Sequence, residues 1–116
     1  MDVNYQKAFE WWEKAAKQGV AHAQCNLGFM YHNGHGVDVN YKKAIEWWEK
    51  AAEQNFAPAQ CALGALYELG MGVDQDDAMA MRWYAKAAAQ GHEGAQAQIA
   101  EVLKKRRKSK DPQEKK

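Results

Sequence analysis

Few residues in this 116-residue chain are of the types that do covalent or metal chemistry, and their spacing decides what they are for. Cys25, His32 and His35 carry metal-ligand side chains within three helical turns. His35, however, falls between two glycines, and the residue 36 positions on is Met71, so no metal site is expected. His22 and His92 stand apart, and neither Cys-x-x-Cys nor HExxH occurs. Asp74, Asp76 and Asp77 resemble the opening of a calcium loop, but its sixth-position Gly and closing bidentate Glu are missing. Capping a helix is the better use for Asp76 or Asp77. Cys25 and Cys61 would need an exposed, electropositive setting to act as nucleophiles. Their recurrence at equivalent positions fits small packed residues instead. No catalytic constellation, cofactor or metal is expected, and the chain reads as a non-enzyme.

The aromatic residues say more. Trp11, Trp47 and Trp83 follow one another at steps of 36, as do Lys14, Lys50 and Lys86, then Ala15, Ala51 and Ala87, then Gln24, Gln60 and Gln96. Gly34, Gly36 and Val37 recur as Gly70, Gly72 and Val73. Self-similarity at such a period marks a stacked repeat protein. The chain is three units of one repeat, and the stretch from Tyr41 to Asp76 is the clearest of them.

Within each unit the apolar spacing predicts two helices. Tyr5, Ala8, Phe9, Trp12, Ala15 and Ala16 form one helical arc over Asn4 to Gln18, with Asn4 as cap and Gly19 as stop. Ala21 to His32 is a second helix facing inward through Ala23, Leu27, Met30 and Tyr31, with Gly28 on the flank where a neighbour can approach. Gly34 and Gly36 supply the positive φ that the turn after it needs. The second unit repeats this over Tyr41 to Gln54 and Ala57 to Leu69. Asn55 replaces the stopping glycine, Pro58 lies in a first turn, and Gly70 and Gly72 form the same turn. In the third unit a helix to Gln90 ends at Gly91, and a last helix runs from about Glu93 to Lys105 or slightly beyond. Ala100 replaces the flank glycine there, as suits a terminal unit.

Charge divides the chain unevenly. The net +1 is the balance of a +6 surplus from Lys104 onward and −5 over the rest. The basic run before Ser109 sits where cations favour a helix C-terminus, and residues 109–116, rich in charge and poor in apolar residues, are expected to be disordered. A −5 body makes nucleic acid an unlikely partner, since such binding rests on neutralising phosphates. No apolar run approaches the roughly 20 residues of a membrane span. No secretory signal is visible either, which points to the cytoplasm unless an upstream signal has been removed. Stacked equivalent helices lie too far apart for Cys25 to bridge Cys61, so both are read as reduced.

The pattern WWEKAA(K/E)Q(G/N)-x-A-x-AQ-C-x-LG-x-(M/L)Y-x-x-G-x-GV, from Trp11 to Val37 and again from Trp47 to Val73, resembles the Sel-one-like repeat family, relatives of the tetratricopeptide repeats. The match runs from Tyr5 to about Leu103, departing at Asn55 and at the missing LG and G-x-GV of the third unit. The resemblance implies an all-α fold: a right-handed α/α superhelix of three 36-residue helix-turn-helix repeats. These fall at about 5–40, 41–76 and 77–108, in a domain over 1–108. It also implies a bacterial, non-enzymatic adaptor that binds a protein or peptide.

First helices of such units line the concave side, so the expected partner-binding residues are Trp11, Lys14, Lys43, Trp47, Lys50, Arg82, Trp83 and Lys86. The structural turns are Gly34, Gly36, Gly70 and Gly72. Trp12, Trp48 and Tyr84 belong to the core. Trp11, Trp47 and Trp83 stand at the arc's edge, where they either pack on the next unit or form an exposed ladder. Two other roles stay open: an inhibitory or immunity-type protein whose acidic body covers a basic site, and binding of an acidic partner or nucleic acid through the basic run. The first helix has no capping segment before it, so Tyr5, Phe9 and Trp12 leave an apolar end face. That face implies self-association or further repeats upstream.

Overall fold

A computed structural model describes residues 4–109, with side chains as far as Arg106. The 110–116 part of the expected tail, and Met1 to Val3, lie outside the described residues. The order is α1 (Tyr5–Lys17), α2 (Ala21–Asn33), α3 (Tyr41–Glu53), α4 (Ala57–Leu69), α5 (Asp77–Ala88) and α6 (Glu93–Ser109). Among the described residues there is no strand, and the all-α repeat fold is as the periodicity predicts. No helix is long and apolar enough to cross a membrane. Each helix packs chiefly on its neighbours in sequence. The result is a stack of 55 × 28 × 27 Å with a radius of gyration of 16.1 Å, where a globular chain of this length would have about 13 Å.

The punctuation is repeated with its chemistry intact. Asn4, Asn40 and Asp76 each place a side-chain oxygen on the backbone N–H three residues on, so Asp76 is the cap. Gly19, Asn55 and Gly91 end the first helices at positive φ. Asn55 does more than replace a glycine, because its Oδ1 also accepts from Gln60 and Gln90. After each second helix Gly34 and Gly70 turn left-handed, their N–H groups donating to Met30 and Leu66. The second turn glycine then lies against a first helix: Gly36 on the Tyr5 carbonyl, and Gly72 on Tyr41 and Ile45.

The core runs along the stack in three overlapping clusters. Trp48 and Tyr84 are buried in it, as expected; Trp12 is only half-buried, and this corrects the core assignment. Trp48 is enclosed by α2, whereas among the described residues no helix stands in front of Trp12. Cys25 is buried, Cys61 half-buried, and both are free. Burial pushes the Cys25 thiol up to about 12 against a smaller opposing effect of the Trp48 indole, and raises Cys61 as well. Neither thiol is poised to be a thiolate.

Candidate functional site

The first helices α1, α3 and α5 carry the tryptophan–lysine pairs at one register. Because the residues are three apart on a helix, the ammonium can reach back over the preceding ring, and at the second and third units it does. Lys50 Nζ lies 5.9 Å from the Trp47 ring centre and Lys86 Nζ 4.9 Å from that of Trp83. Both distances are within cation–π range. Lys43 reaches across the interface, 5.8 Å over the ring of Tyr31 on α2. Lys14 and Arg82 are exposed. The three tryptophans differ in burial. Trp11 is 66% exposed, while Trp47 and Trp83 are half-buried. Trp47 packs on the core of its own unit and on that of the first, and Trp83 packs on the middle cluster. Both alternatives for this position therefore operate, packing at the second and third units and exposure at the first. Beside Trp11 and Lys14 two shallow depressions open, one completed by Lys7 and Glu10, the other by Ala15 and Gln18.

The surface is of mixed sign. Burial raises the Tyr31 hydroxyl pKa, and Glu13 and Glu46 add to the effect. Glu49 is raised by burial and by its neighbours Glu53 and Glu46. Carboxylates thus alternate with Lys43 and Lys50 along α3, giving cations interleaved with anions rather than a uniform basic strip.

The histidines take structural contacts. His35 stacks on Tyr5 at 4.4 Å, His22 lies against Trp12 and Phe56, and His32 lies between Tyr41 and Trp48. His92 accepts the Ala95 N–H and caps α6. Among the described residues no group of three His, Cys, Asp or Glu is placed to hold a metal.

Two features escaped the sequence reading. One is a relay of glutamines. Gln24, Gln60 and Gln96 donate to the carbonyls of Ala16, Ala52 and Ala88, closing each unit. Gln54 and Gln90, at the ends of α3 and α5, then donate to Gln24 and Gln60, joining units. The 36-residue step linking Gln18, Gln54 and Gln90 was the available signal. The other is in the basic run. Lys105 pairs with Glu68 on α4 at 2.9 Å, and the same carboxylate accepts the Tyr84 hydroxyl at 2.7 Å. At least that one cation ties α6 to the stack.

The repeat pattern matches a family model described as Sel1 repeat over residues 1–20, 21–56 and 57–92. The chain belongs to the Sel1 repeat family. The model's units pair α2 with α3 and α4 with α5, half a unit out of step with a division at the first helices. Sel1 repeats are protein-interaction modules and, in general, non-catalytic scaffolds. Among solved structures, this Sel1 array is similar to c5321, described as a protective antigen present in uropathogenic Escherichia coli strains and displaying an SLR fold. The two share 43% identity over 83% of this chain and 21% of that one, with a TM-score of 0.81. A Sel1 repeat protein of Oxalobacter formigenes shares 44% identity over 81% of this chain and 38% of its own, with a TM-score of 0.78. Cysteine rich protein B of Helicobacter pylori shares 29% over 82% and 71%, with a TM-score of 0.76. The chain thus spans less than half the length of the first two. No curated protein matched it.

Proposed function

We propose that this chain is a non-enzymatic adaptor that captures an extended peptide or protein segment along its first-helix surface. The observation that carries the reading is the same tryptophan–lysine pair presented in register by α1, α3 and α5, with Trp11 left 66% exposed. Tryptophan and arginine dominate interface hot spots. The ammonium groups over Trp47 and Trp83 suit a segment with an apolar anchor and carboxylates flanking it. Lys43 and Arg82 extend the cationic contacts at the middle and last units. The free state of Cys25 and Cys61 is compatible with a reducing compartment, where we place the protein.

The test is selection of displayed random peptides on the immobilised chain. Enriched peptides should share an apolar anchor flanked by Asp or Glu, and should lose binding on Trp11→Ala and Lys50→Glu, both at exposed positions. Enriched peptides that bind these variants unchanged would overturn the reading.

A further inference from the structure

The two internal interfaces of the array differ at one position on their outer side. At the first, Trp48 sits on Gly28, and the next residue of α2, Phe29, stands edge-on to it. Their ring centres are 5.0 Å apart and their planes at 74°. At the second, Tyr84 sits on Gly64 in the same way, but the next residue of α4 is Ala65. There a depression of about 440 Å³ opens across α2, α4 and α6, lined by Phe29, Ala65 and Gln98 and reaching Tyr84. Its floor has no solvating side chains. Ala62 and Leu69 line it where the 36-residue step places Asn26 and Asn33 on α2 and Gln98 and Lys105 on α6. The amide and carboxylate of α4 are both engaged, Gln60 with the Ala52 carbonyl and Glu68 with Tyr84 and Lys105. A helix apolar on every side belongs in a core, yet Leu69 is 64% exposed and Phe29 41%. Helices pack on α4 from both sides, so this open face is not an end of the array.

The rim of the depression offers donors. His92 Nδ1 accepts the Ala95 N–H, which leaves the proton of the neutral ring on Nε2. Both oxygens of the lining carboxylate, Glu68, are taken, one by Tyr84 and the other by Lys105. The Lys105 side chain is itself 66% exposed, and the run from Lys104 onward carries the +6 surplus. We propose that this depression docks a helix of a partner protein that inserts an aromatic side chain over Tyr84 and sets carboxylates beside Lys105. The first interface supplies the pose of the ring, since Phe29 holds the equivalent place over Trp48. The sign of the rim supplies the charge of the partner. Ala62 and Ala65 keep the outer ridge of α4 low, so a helix can settle between α2 and α6. The surface lies on the second helices, separate from the Trp–Lys face, and does not depend on it.

The probe is an alanine-based helical peptide of about 18 residues, with one phenylalanine and a glutamate one turn to either side of it. Titrated into the isotope-labelled full chain, it should move the amide signals of Ala62, Ala65 and Gln98. Replacing its phenylalanine by alanine should weaken binding by about tenfold or more. Replacing its glutamates by glutamine should remove the salt dependence of binding. In the protein, Ala65→Phe should fill the place from within: the urea midpoint holds or rises, and the peptide no longer binds. Absence of shifts at about 1 mM peptide, or equal binding by the alanine peptide or by the Ala65→Phe chain, would overturn the proposal. An Ala65→Phe chain that loses its fold would show that the space does not suit a ring, with the same consequence. Self-association of the chain alone that Ala65→Phe abolishes would put a second copy on this face and overturn it equally.

Discussion

The ring of Trp48 fills the space that a side chain on Gly28 would need. A Cβ built at Gly28 lies 2.7 Å from the indole Cε2, well inside contact distance. Tyr84 stands in the same relation to Gly64, with ring carbons 2.6 Å from the corresponding Cβ. The single interior glycines of α2 and α4 are seats for aromatic rings of α3 and α5, and they set how closely units stack.

Gly28→Ala therefore sets two effects against each other. Removing a glycine from a helix interior gains roughly 0.5–1 kcal/mol, whereas forcing atoms into a packed interior costs about 1–3 kcal/mol. The ring is 2% exposed and held by its hydrogen bond to Cys25, so it has little room to yield. Net destabilisation of about 1 kcal/mol or more is expected in urea unfolding. A stabilised variant would show that the ring moves aside freely.

Gly36→Val and Gly72→Val should each cost on the order of 1 kcal/mol or more. Both glycines hold φ at 79°, where a β-branched residue is strained, and both lie against a first helix. Unchanged urea midpoints would mean that neither turn requires glycine.

The Glu68 carboxylate gives the stack a defined acid sensitivity. Burial acts to raise its pKa, but the bonds from Lys105 and Tyr84 outweigh that and hold it below the ordinary 4.5. A carboxyl depressed in the folded state adds stability above its unfolded value and loses it as pH falls through the folded one. Stability should accordingly fall as pH drops below 4.5. Glu68→Gln should flatten part of that fall and cost about 1 kcal/mol at neutral pH. Most of the cost should come from Tyr84, since the Lys105 side chain is 66% exposed and its share is screened. An identical acid slope in the variant would count against this role.

How much was legible in the sequence depended on whether a residue's environment lies inside its own unit. Asn40 caps the N–H three residues on, and the positive φ of Gly36 and Gly72 is a property of the turn itself, so caps and turns could be read directly. The burial of Trp48 was also legible, because it lies in the middle of an apolar arc. Trp12 occupies the same place in the pattern, yet its burial depends on a helix in front of α1, so the pattern alone misplaced it. For Trp47 and Trp83 the half-buried state depends on how one unit is rotated on the next, which period and composition do not encode. The Gln54–Gln24 bond is of the same kind: the period marked both residues but not that they meet. Lys105 was readable only as a cation near a helix end, because its partner Glu68 is 37 residues earlier.

Trp47, at the middle unit, most directly tests the proposed binding of a partner segment on the Trp–Lys face. The measurement is the affinity of a library-selected peptide for the wild-type chain and for Trp47→Ala, with the urea midpoint of each taken alongside. Trp47 is half-buried against two units, so some loss of stability accompanies the substitution. At a peptide temperature where both proteins are folded, binding should weaken by about 2 kcal/mol or more, about 30-fold. Lys50→Glu should act mainly by slowing association. A folded Trp47→Ala chain that binds the peptide as tightly as wild type would contradict the account.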